Sequence, residues 1–567
     1  MAGDFNINLL RSNDHQPTSA FINLMTSHKL LPSILRPTRI TENTATLIDN
    51  IFTNSLAVRQ DSCICISDIS DHLPIFLYVD LQPPYMKIPL TTTCRNFDSL
   101  SKTKFVSLLQ DTDWSPIETL CANGNPTAAY TAFQDTYKRI YDNSFPLVNR
   151  SANHHIKAKQ PWMTKALLKS CKRKSKLHKK YLMNPTAVNK QKFNSYRNIF
   201  KSLRIESERQ YYADRFTQCN HNIKKTWAII KQILNPNSHL SGPELFLIDG
   251  KETDKNHVIA DAFNKYFTNI GPTLASNIPK TSLEFKHFMP NPPPCSFGIL
   301  PVNDEELIQV ANDLKTTNSS GPDGINPSIA KLSINSIAGT LTTIFNSSFS
   351  YGLVPSELKI AKVTPIFKSG EKNLINNYRP ISILPFFSKI MEKLMYNRLL
   401  NFLDKFNLLA HNQYGFRKNH STFMALMDIQ CNISEAMNNN HYSIGIFFDL
   451  SKAFDTVDHN ILITKLNSYG IRGIVNNWFS DYLNGRTQFV TFKDSLSYCS
   501  DITCGVPQGS ILGPLLFLLY VNDLSSLSSL FKLVLFADDT NAFLNDISVT
   551  NLFHKANCEL ELISLWF

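Results

Sequence analysis

The sequence predicts a multidomain protein of mixed α/β and α+β class, and three observations carry that expectation. The chain has 567 residues, room for three or four domains at about 150 residues each. Hydrophobic residues make up 43% and aromatic residues 11%, enough for more than one packed core and too much for a disordered chain. Strand-like apolar runs and helically spaced apolar residues occupy separate blocks parted by proline-rich stretches.

Residues 1–80 alternate short apolar runs with turns and end in Ile75-Phe76-Leu77-Tyr78-Val79, which reads as a strand. Gln82-Pro83-Pro84 marks the boundary. Residues 81–300 read as a helical linker region, with Phe105, Leu108 and Leu109, then Tyr130, Phe133 and Tyr137, at helical spacing. Aromatics such as Tyr181, Phe193, Tyr196 and Phe200 continue this pattern among basic residues. Met289-Pro290-Asn291-Pro292-Pro293-Pro294 closes the region, being too rich in proline for helix or central strand. Residues 301–567 form one long mixed region, and no internal repeat is visible.

Charge is unevenly spread. Lys and Arg number 57 against 46 Asp and Glu, a net +11. Residues 157–232 hold 20 basic and 3 acidic residues, a net +17, which leaves 37 against 43, or −6, for the remainder. A near-neutral body with one basic arm follows. The first residues lack the charged start and apolar run of a secretory signal. The most apolar stretch, Pro514 to Val521, is too short to span a bilayer. Eleven scattered cysteines include no CxxC pair, which argues for a reducing compartment and against a zinc module.

The chemistry lies in the last region. Tyr442 to Phe448 is a β-type run with Asp449 at its end, and Leu533 to Ala537 is a second run ending in Asp538-Asp539. The polar pair Thr540-Asn541 and apolar Ala542-Phe543-Leu544 follow, so the acids sit at or beside a hairpin turn. An Asp-Asp pair alone is most often just a turn. A third acid nearby changes the energetics, because two unit charges about 4 Å apart repel by roughly 4 kcal/mol at an effective dielectric of 20. Divalent cations relieve that repulsion, and magnesium favours one or two carboxylates plus substrate phosphates.

The neighbouring residues narrow the reading. Asp449-Leu450-Ser451-Lys452-Ala453-Phe454-Asp455, then Gly505-Val506-Pro507-Gln508-Gly509-Ser510-Ile511-Leu512-Gly513-Pro514, then Phe536-Ala537-Asp538-Asp539 resemble motifs A, B and C of reverse transcriptases. Upstream, Tyr378-Arg379-Pro380-Ile381-Ser382 and Gln413-Tyr414-Gly415-Phe416-Arg417-Lys418 resemble that family's fingers motifs. Ser319-Ser320-Gly321-Pro322-Asp323-Gly324 resembles the extra motif of the non-LTR retrotransposon (LINE-type, jockey-like) branch. The resemblance implies fingers and a palm, an antiparallel sheet with helices, over residues 301–567.

The same resemblance implies roles. Asp449 and Asp538 match metal ligands, Asp539 the third catalytic carboxylate, and the Leu450 backbone carbonyl a further metal contact. Two Mg²⁺ ions, or Mn²⁺, are the implied cofactors. Phe454, five positions after Asp449, matches a steric gate against a ribose 2′-hydroxyl, although an isolated Phe is as often a core residue. Gln508 and Gly509 match the loop lining the incoming nucleotide and template base. Arg417 matches a triphosphate-gripping residue, its fork suiting phosphate oxygens. Lys368 is a weaker phosphate candidate. RNA template, DNA primer and deoxynucleotides are the implied partners.

Two further stretches add expectations. Asp4 and Asn6, Asp49, then Asp71 and His72 resemble, in order, the C-terminal half of the apurinic/apyrimidinic-type endonuclease domain, a partial β-sandwich of the endonuclease/exonuclease/phosphatase kind. That likeness implies phosphate and leaving-group contacts for Asp4 and Asn6, a metal ligand in Asp71, and His72 oriented by Asp49. The family's Glu and Asn from its N-terminal half have no counterpart here, so no nicking activity is expected. At the other end Thr550 to Phe567 reads as an amphipathic helix, with no thumb after it, so the chain resembles a piece of a longer element. Lys169, Lys172, Arg173, Lys174, Lys176, Lys179 and Lys180 suit a nucleic-acid backbone, or alternatively a solvated face or localisation signal. Two other readings compete with the polymerase: a nucleic-acid-binding remnant without catalysis, and an RNA-dependent RNA polymerase, which Phe454 opposes.

Overall fold

The computed structural model describes the chain except residues 42, 55–59, 68–69, 80–90, 152–159, 220–221, 235–244, 279–284, 290–291 and 317–318. The expected boundary at Gln82-Pro83-Pro84, and Pro290-Asn291 of the second, fall outside the described residues. Two compact units emerge, one of residues 1–92 and 149–240, the other of residues 93–148 and 241–567. These cut the chain elsewhere than the expected boundaries at 80 and 300.

In the first unit, strands Ala2–Asp4, Asp49–Thr53 and Leu31–Pro32 form a three-stranded antiparallel sheet over a core of Leu9, Met25, Ile34, Leu47 and Phe52. Gln60–Ile64 with Ile75–Val79, and Arg39–Ile40 with Ala45–Thr46, add two hairpins. The expected sandwich is present among the described residues only as these small sheets. Helices Lys165–Met183 and Ala187–Gln218 pack together, each opened by a threonine hydroxyl, Thr164 and Thr186, that accepts from a backbone N–H three residues on.

In the second unit, after two shorter helices, Ser99–Gln110 and Ser115–Ala122, comes helix α1 (Pro126–Ser144), whose Tyr130, Phe133, Tyr137 and Tyr141 recur at helical spacing and are fully buried. Its other labelled elements are α2 (Asn256–Ser276), β1 (Ile360–Phe367), β2 (Tyr378–Ile383), α3 (Phe386–Lys405), β3 (Tyr442–Phe448), β4 (Arg486–Phe492), α4 (Leu512–Val521), β5 (Lys532–Phe536), β6 (Asp539–Asp546) and α5 (Val549–Trp566). Phe133 and Tyr137 meet Phe387 of α3 edge to face at 5.6 and 5.4 Å. The α1 stripe thus shares a core with the C-terminal region, which moves residues 93–148 out of the linker and into this unit. Likewise α2 packs Ile259, Phe263 and Phe267 against Val363, Tyr378 and Val490.

Two sheets frame the unit. β1 pairs antiparallel with β2 and parallel with β4, within a five-stranded sheet. β3, β6 and β5 form a separate three-stranded antiparallel sheet in that order, backed by α5. α4 is apolar on all sides and buried, as a short helix inside a core must be. Its first turn is fixed by Glu392 of α3, fully buried, whose carboxylate accepts from Ile511 N at 2.6 Å and from the Tyr482 hydroxyl at 2.9 Å.

The Ser319–Gly324 segment seats against the start of α3, where a Cβ on Gly321 would come 2.9 Å from Pro385 N. Asp323 within it is buried; Oδ1 accepts from Ile325 N at 3.2 Å, and Oδ2 has no partner among the described residues. Burial pushes this carboxyl from an ordinary 3.8 up to about 6. A folded-state value above the unfolded one means stability that is complete below about pH 4 and lost as pH rises through about 6, amounting to about 3 kcal/mol. Asp323→Asn should therefore gain on the wild type by about that amount between pH 4 and pH 8, whatever fixed cost its amide carries. Urea titrations across that range check this; a difference independent of pH refutes it.

Candidate active site

The three sequence-predicted carboxylates come together through strand register. Phe448 of β3 lies opposite Thr540 of β6, so Asp449, one step on, lies opposite Asp539. Phe536 of β5 pairs with Asp539, leaving Ala537 and Asp538 as a two-residue hairpin turn. Asp449 and Asp539 are exposed and Asp538 is half-buried. Partial burial and the charges of Asp538 and Asp449 raise the Asp539 carboxyl above its usual range. The three do not bring ligand oxygens within 4.8 Å of one another; among the described residues, Asp4, Asp49 and His72 are the group of three that does.

Ala537 carries a positive φ of 58°, a conformation an L-residue adopts only when held there. Gln413 holds it. The buried Gln413 Oε1 accepts from Ala537 N at 2.9 Å and from Gly415 N at 2.8 Å, while Tyr414 N donates to Leu535 O at 2.8 Å. A Cβ on Gly415 would collide with the Ala537 amide nitrogen, so this close approach needs glycine. Gln413 opens one of the fingers-like motifs, and nothing in its sequence context announces this role.

Around the triad, Phe454 stacks on Phe517 at 4.5 Å and meets Phe416 edge to face at 5.8 Å, half-buried. The ring is thus packed against the core, as the structural reading of an isolated Phe has it. The 504–509 loop is laced to its surroundings: Gly505 N donates to Val457 O, Val506 N to Phe454 O, and Ser382 N to Gln508 O, each at 2.8 Å. The Gln508 amide donates to Asp455 Oδ1 at 2.9 Å. Gly509 has φ 128°, and a Cβ there would strike Ser382 O.

Lys368 follows β1, and its charge, with that of Arg379 on β2, bears on Lys452. Burial first, then these two cations, lower the Lys452 ammonium below its usual range. This cationic group favours an anion. Arg379 and Lys452 lie inside the quoted motifs, but only the fold brings their charges to bear on one another. Arg417 turns Nη1 to the Ala410 and Gln413 carbonyls at 2.7 and 3.4 Å, so one nitrogen of its fork is engaged by backbone.

In the first unit, strand pairing sets Asp4 opposite Asp49. His72 Nδ1 lies 3.1 and 3.0 Å from the two Asp49 carboxylate oxygens and 3.9 Å from Asp4 Oδ2. Carboxylates only accept, so Nδ1 carries the proton and Nε2 is left as the free ring nitrogen. Asn6 donates its backbone N–H to Asp4 Oδ1 at 2.9 Å. Asp71 stands apart from this group, paired with Arg39 at 2.8 Å. On helix Lys165–Met183, Lys169, Lys172, Arg173, Lys176, Lys179 and Lys180 are exposed and Lys174 is half-buried, with no acidic residue in the helix. Arg173 lies over Tyr196 at 5.5 Å and Lys174 over Phe200 at 5.3 Å.

Two of the three carboxylates sit at or beside the turn of an antiparallel hairpin, with Asp449 at the end of the neighbouring strand, the arrangement of a carboxylate-based phosphoryl-transfer site. Residues 366–561 match the family described as reverse transcriptase (RNA-dependent DNA polymerase), and this stretch is a reverse transcriptase domain. The chain is similar to the probable RNA-directed DNA polymerase from transposon BS of Drosophila melanogaster, 32% identical over 237 residues, 40% of this chain and 25% of that protein. It is also similar to the RNA-directed DNA polymerase from mobile element jockey of the same species, 30% identical over 277 residues, 48% of this chain and 29% of that one. The jockey polymerase of Drosophila funebris is 31% identical over 225 residues, 40% of this chain and 24% of it. The matched stretch thus spans about a quarter of the length of these curated relatives. Among the described residues no helix is long and apolar enough to cross a membrane.

Proposed function

We propose that this chain is the reverse transcriptase of a non-LTR retrotransposon, adding deoxynucleotides to a primer 3′-end on an RNA template. The observation that carries the reading is the register that sets Asp449 opposite Asp539 with Asp538 on the adjoining turn. Three carboxylates and the Leu450 carbonyl make an all-oxygen donor set, and a cation would offset both the burial and the neighbouring charges that raise Asp539. These residues fit two Mg²⁺ ions, or Mn²⁺. Bound there, the metal supplies charge neutralisation for the phosphates and acidifies the primer hydroxyl.

The chain's own residues do the rest. Phe454 excludes the ribose 2′-hydroxyl; Gln508 and Gly509 line the nucleotide and template base. Lys368, joined by Arg379, Lys452 and Arg417, draws in the triphosphate through charge and fork geometry. The basic face of helix Lys165–Met183 binds nucleic-acid backbone in a salt-sensitive way. Asp4, Asn6, Asp49, Asp71 and His72 represent an endonuclease remnant; among the described residues no glutamate joins Asp4, Asp49 and His72, and we infer that it does not nick DNA. Nothing in the site favours a non-catalytic remnant.

The test is primer extension by the whole chain on poly(rA)/oligo(dT) with Mg²⁺, supplying either deoxynucleotides or ribonucleotides. Extension with deoxynucleotides alone is expected, with supercoiled plasmid left uncut by the same preparation. No extension, or equal use of ribonucleotides, overturns the assignment.

A further inference from the structure

We propose that Asp455 is a positioning residue that fixes which end of the Gln508 side-chain amide faces the incoming nucleotide. The proposal rests on the reading of Gln508 as part of the nucleotide site. Gln508 is tied down by its main chain, through the carbonyl that accepts from Ser382 N, and by one side-chain bond to Asp455. An amide is nearly symmetric in shape, and only its hydrogen-bond partner decides which way round it sits. An ionised carboxylate accepts and never donates. It therefore holds Nε2 inward and leaves Oε1 facing away from Asp455.

The scaffold makes this contact close and specific. Asp455 N donates to Lys452 O at 2.8 Å, and Cys504 Sγ contacts Asp455 O at 3.4 Å. Gly505, at φ 85°, lies so near that a Cβ there would come 2.9 Å from Asp455 Cα. Asp455 Oδ2 is buried without a hydrogen-bond partner among the described residues, so Gln508 is what the carboxylate holds. Asp455 also directly follows Phe454, which places the amide's anchor beside the proposed sugar gate.

Protonation would change the hydrogen-bond grammar. A neutral acid can donate to Oε1, which permits the flipped amide and removes the preference. Burial pushes the Asp455 carboxyl up to about 6, opposed by the Gln508 bond and the Lys452 charge. The groups facing it are Lys452 on its own loop, Cys504 and Gln508 on the 504–509 loop, and Tyr266 on α2, with Lys368 and Arg379 acting behind Lys452. Burial raises both the Cys504 thiol and the Tyr266 phenol, so neither ionises in mildly acidic solution.

The experiment measures kcat and KM for dTTP with the whole chain on poly(rA)/oligo(dT), from about pH 5.5 to about pH 8. Asp455→Ala is expected to raise KM about tenfold with kcat within about threefold. Asp455→Asn keeps an acceptor oxygen and removes a buried charge, so it should fold at least as stably as the wild type and raise KM only about threefold. The wild-type KM should climb below about pH 6 more steeply than that of Asp455→Asn, since the nucleotide's own ionisation is common to both. A Gln508→Ala background should make Asp455→Ala add nothing further to KM.

Unchanged KM in the Asn variant, or an identical acid limb in variant and wild type, overturns the proposal, and so does additivity in the Gln508→Ala background. The Asn variant decides the matter if the Ala variant does not fold. Should the wild type extend no primer at all, the polymerase reading has failed and this proposal falls with it; an active wild type indifferent to Asp455 sinks this proposal alone.

Discussion

Asp538→Asn is expected to abolish primer extension, by about a thousandfold or more, while leaving retention of the primer–template duplex unchanged. The substitution keeps size and shape and removes one negative charge from the hairpin turn. Asp538 is half-buried beside Asp539, whose carboxyl its charge helps to raise. Loss of that charge relieves repulsion in the free protein, so the variant should melt no lower than the wild type. Activity and stability therefore move in opposite directions, which separates a lost metal ligand from a damaged fold. Single-turnover extension with Mg²⁺, filter binding of labelled duplex and a thermal melt make the three measurements. Retained extension refutes the assignment of Asp538.

Asp523→Ala has the largest expected effect on stability, a loss of about 3–5 kcal/mol. Asp523 and Lys465 are both buried, with side chains 0% and 3% exposed. The Lys465 ammonium donates to the two Asp523 oxygens at 2.7 and 2.8 Å and to the Tyr520 carbonyl at 2.7 Å. The Tyr520 and Trp566 rings lie 5.1 and 5.0 Å from it, and Trp566 Nε1 donates to Asp523 Oδ2 at 3.2 Å. Removing the aspartate strands a cation away from water and unlatches the last turn of α5. Pairing Lys465→Met with Asp523→Leu removes both charges at once and should recover most of the loss. Denaturant titration of the wild type and the two variants decides this; a double variant as unstable as the single one contradicts it.

Much of the site was legible in the sequence because it obeys local rules. Apolar runs of strand type end in Asp449 and in Asp538-Asp539, and a short polar turn between apolar runs announces a hairpin. What stayed hidden depends on distance along the chain. Gln413 acts on Ala537 across 124 residues, and Asp455 on Gln508 across 53, with nothing in either local pattern to announce the contact. The aromatic stripe of α1 signals a buried helix face but not its partner, Phe387, which lies some 250 residues further along the chain, so residues 93–148 read as linker from the sequence. Arg417 is similar, since composition cannot tell that one nitrogen of its fork serves backbone carbonyls.

Phe454 stacks on Phe517, a buried residue of α4, and touches Phe416. The ring proposed to choose the sugar is thus also a brick in the wall that keeps the domain folded. Any smaller residue that widened the cleft for ribose would at the same time hollow the interior behind it. A substitution at Phe454 that admits ribose is therefore expected to lower the stability of the domain at the same time.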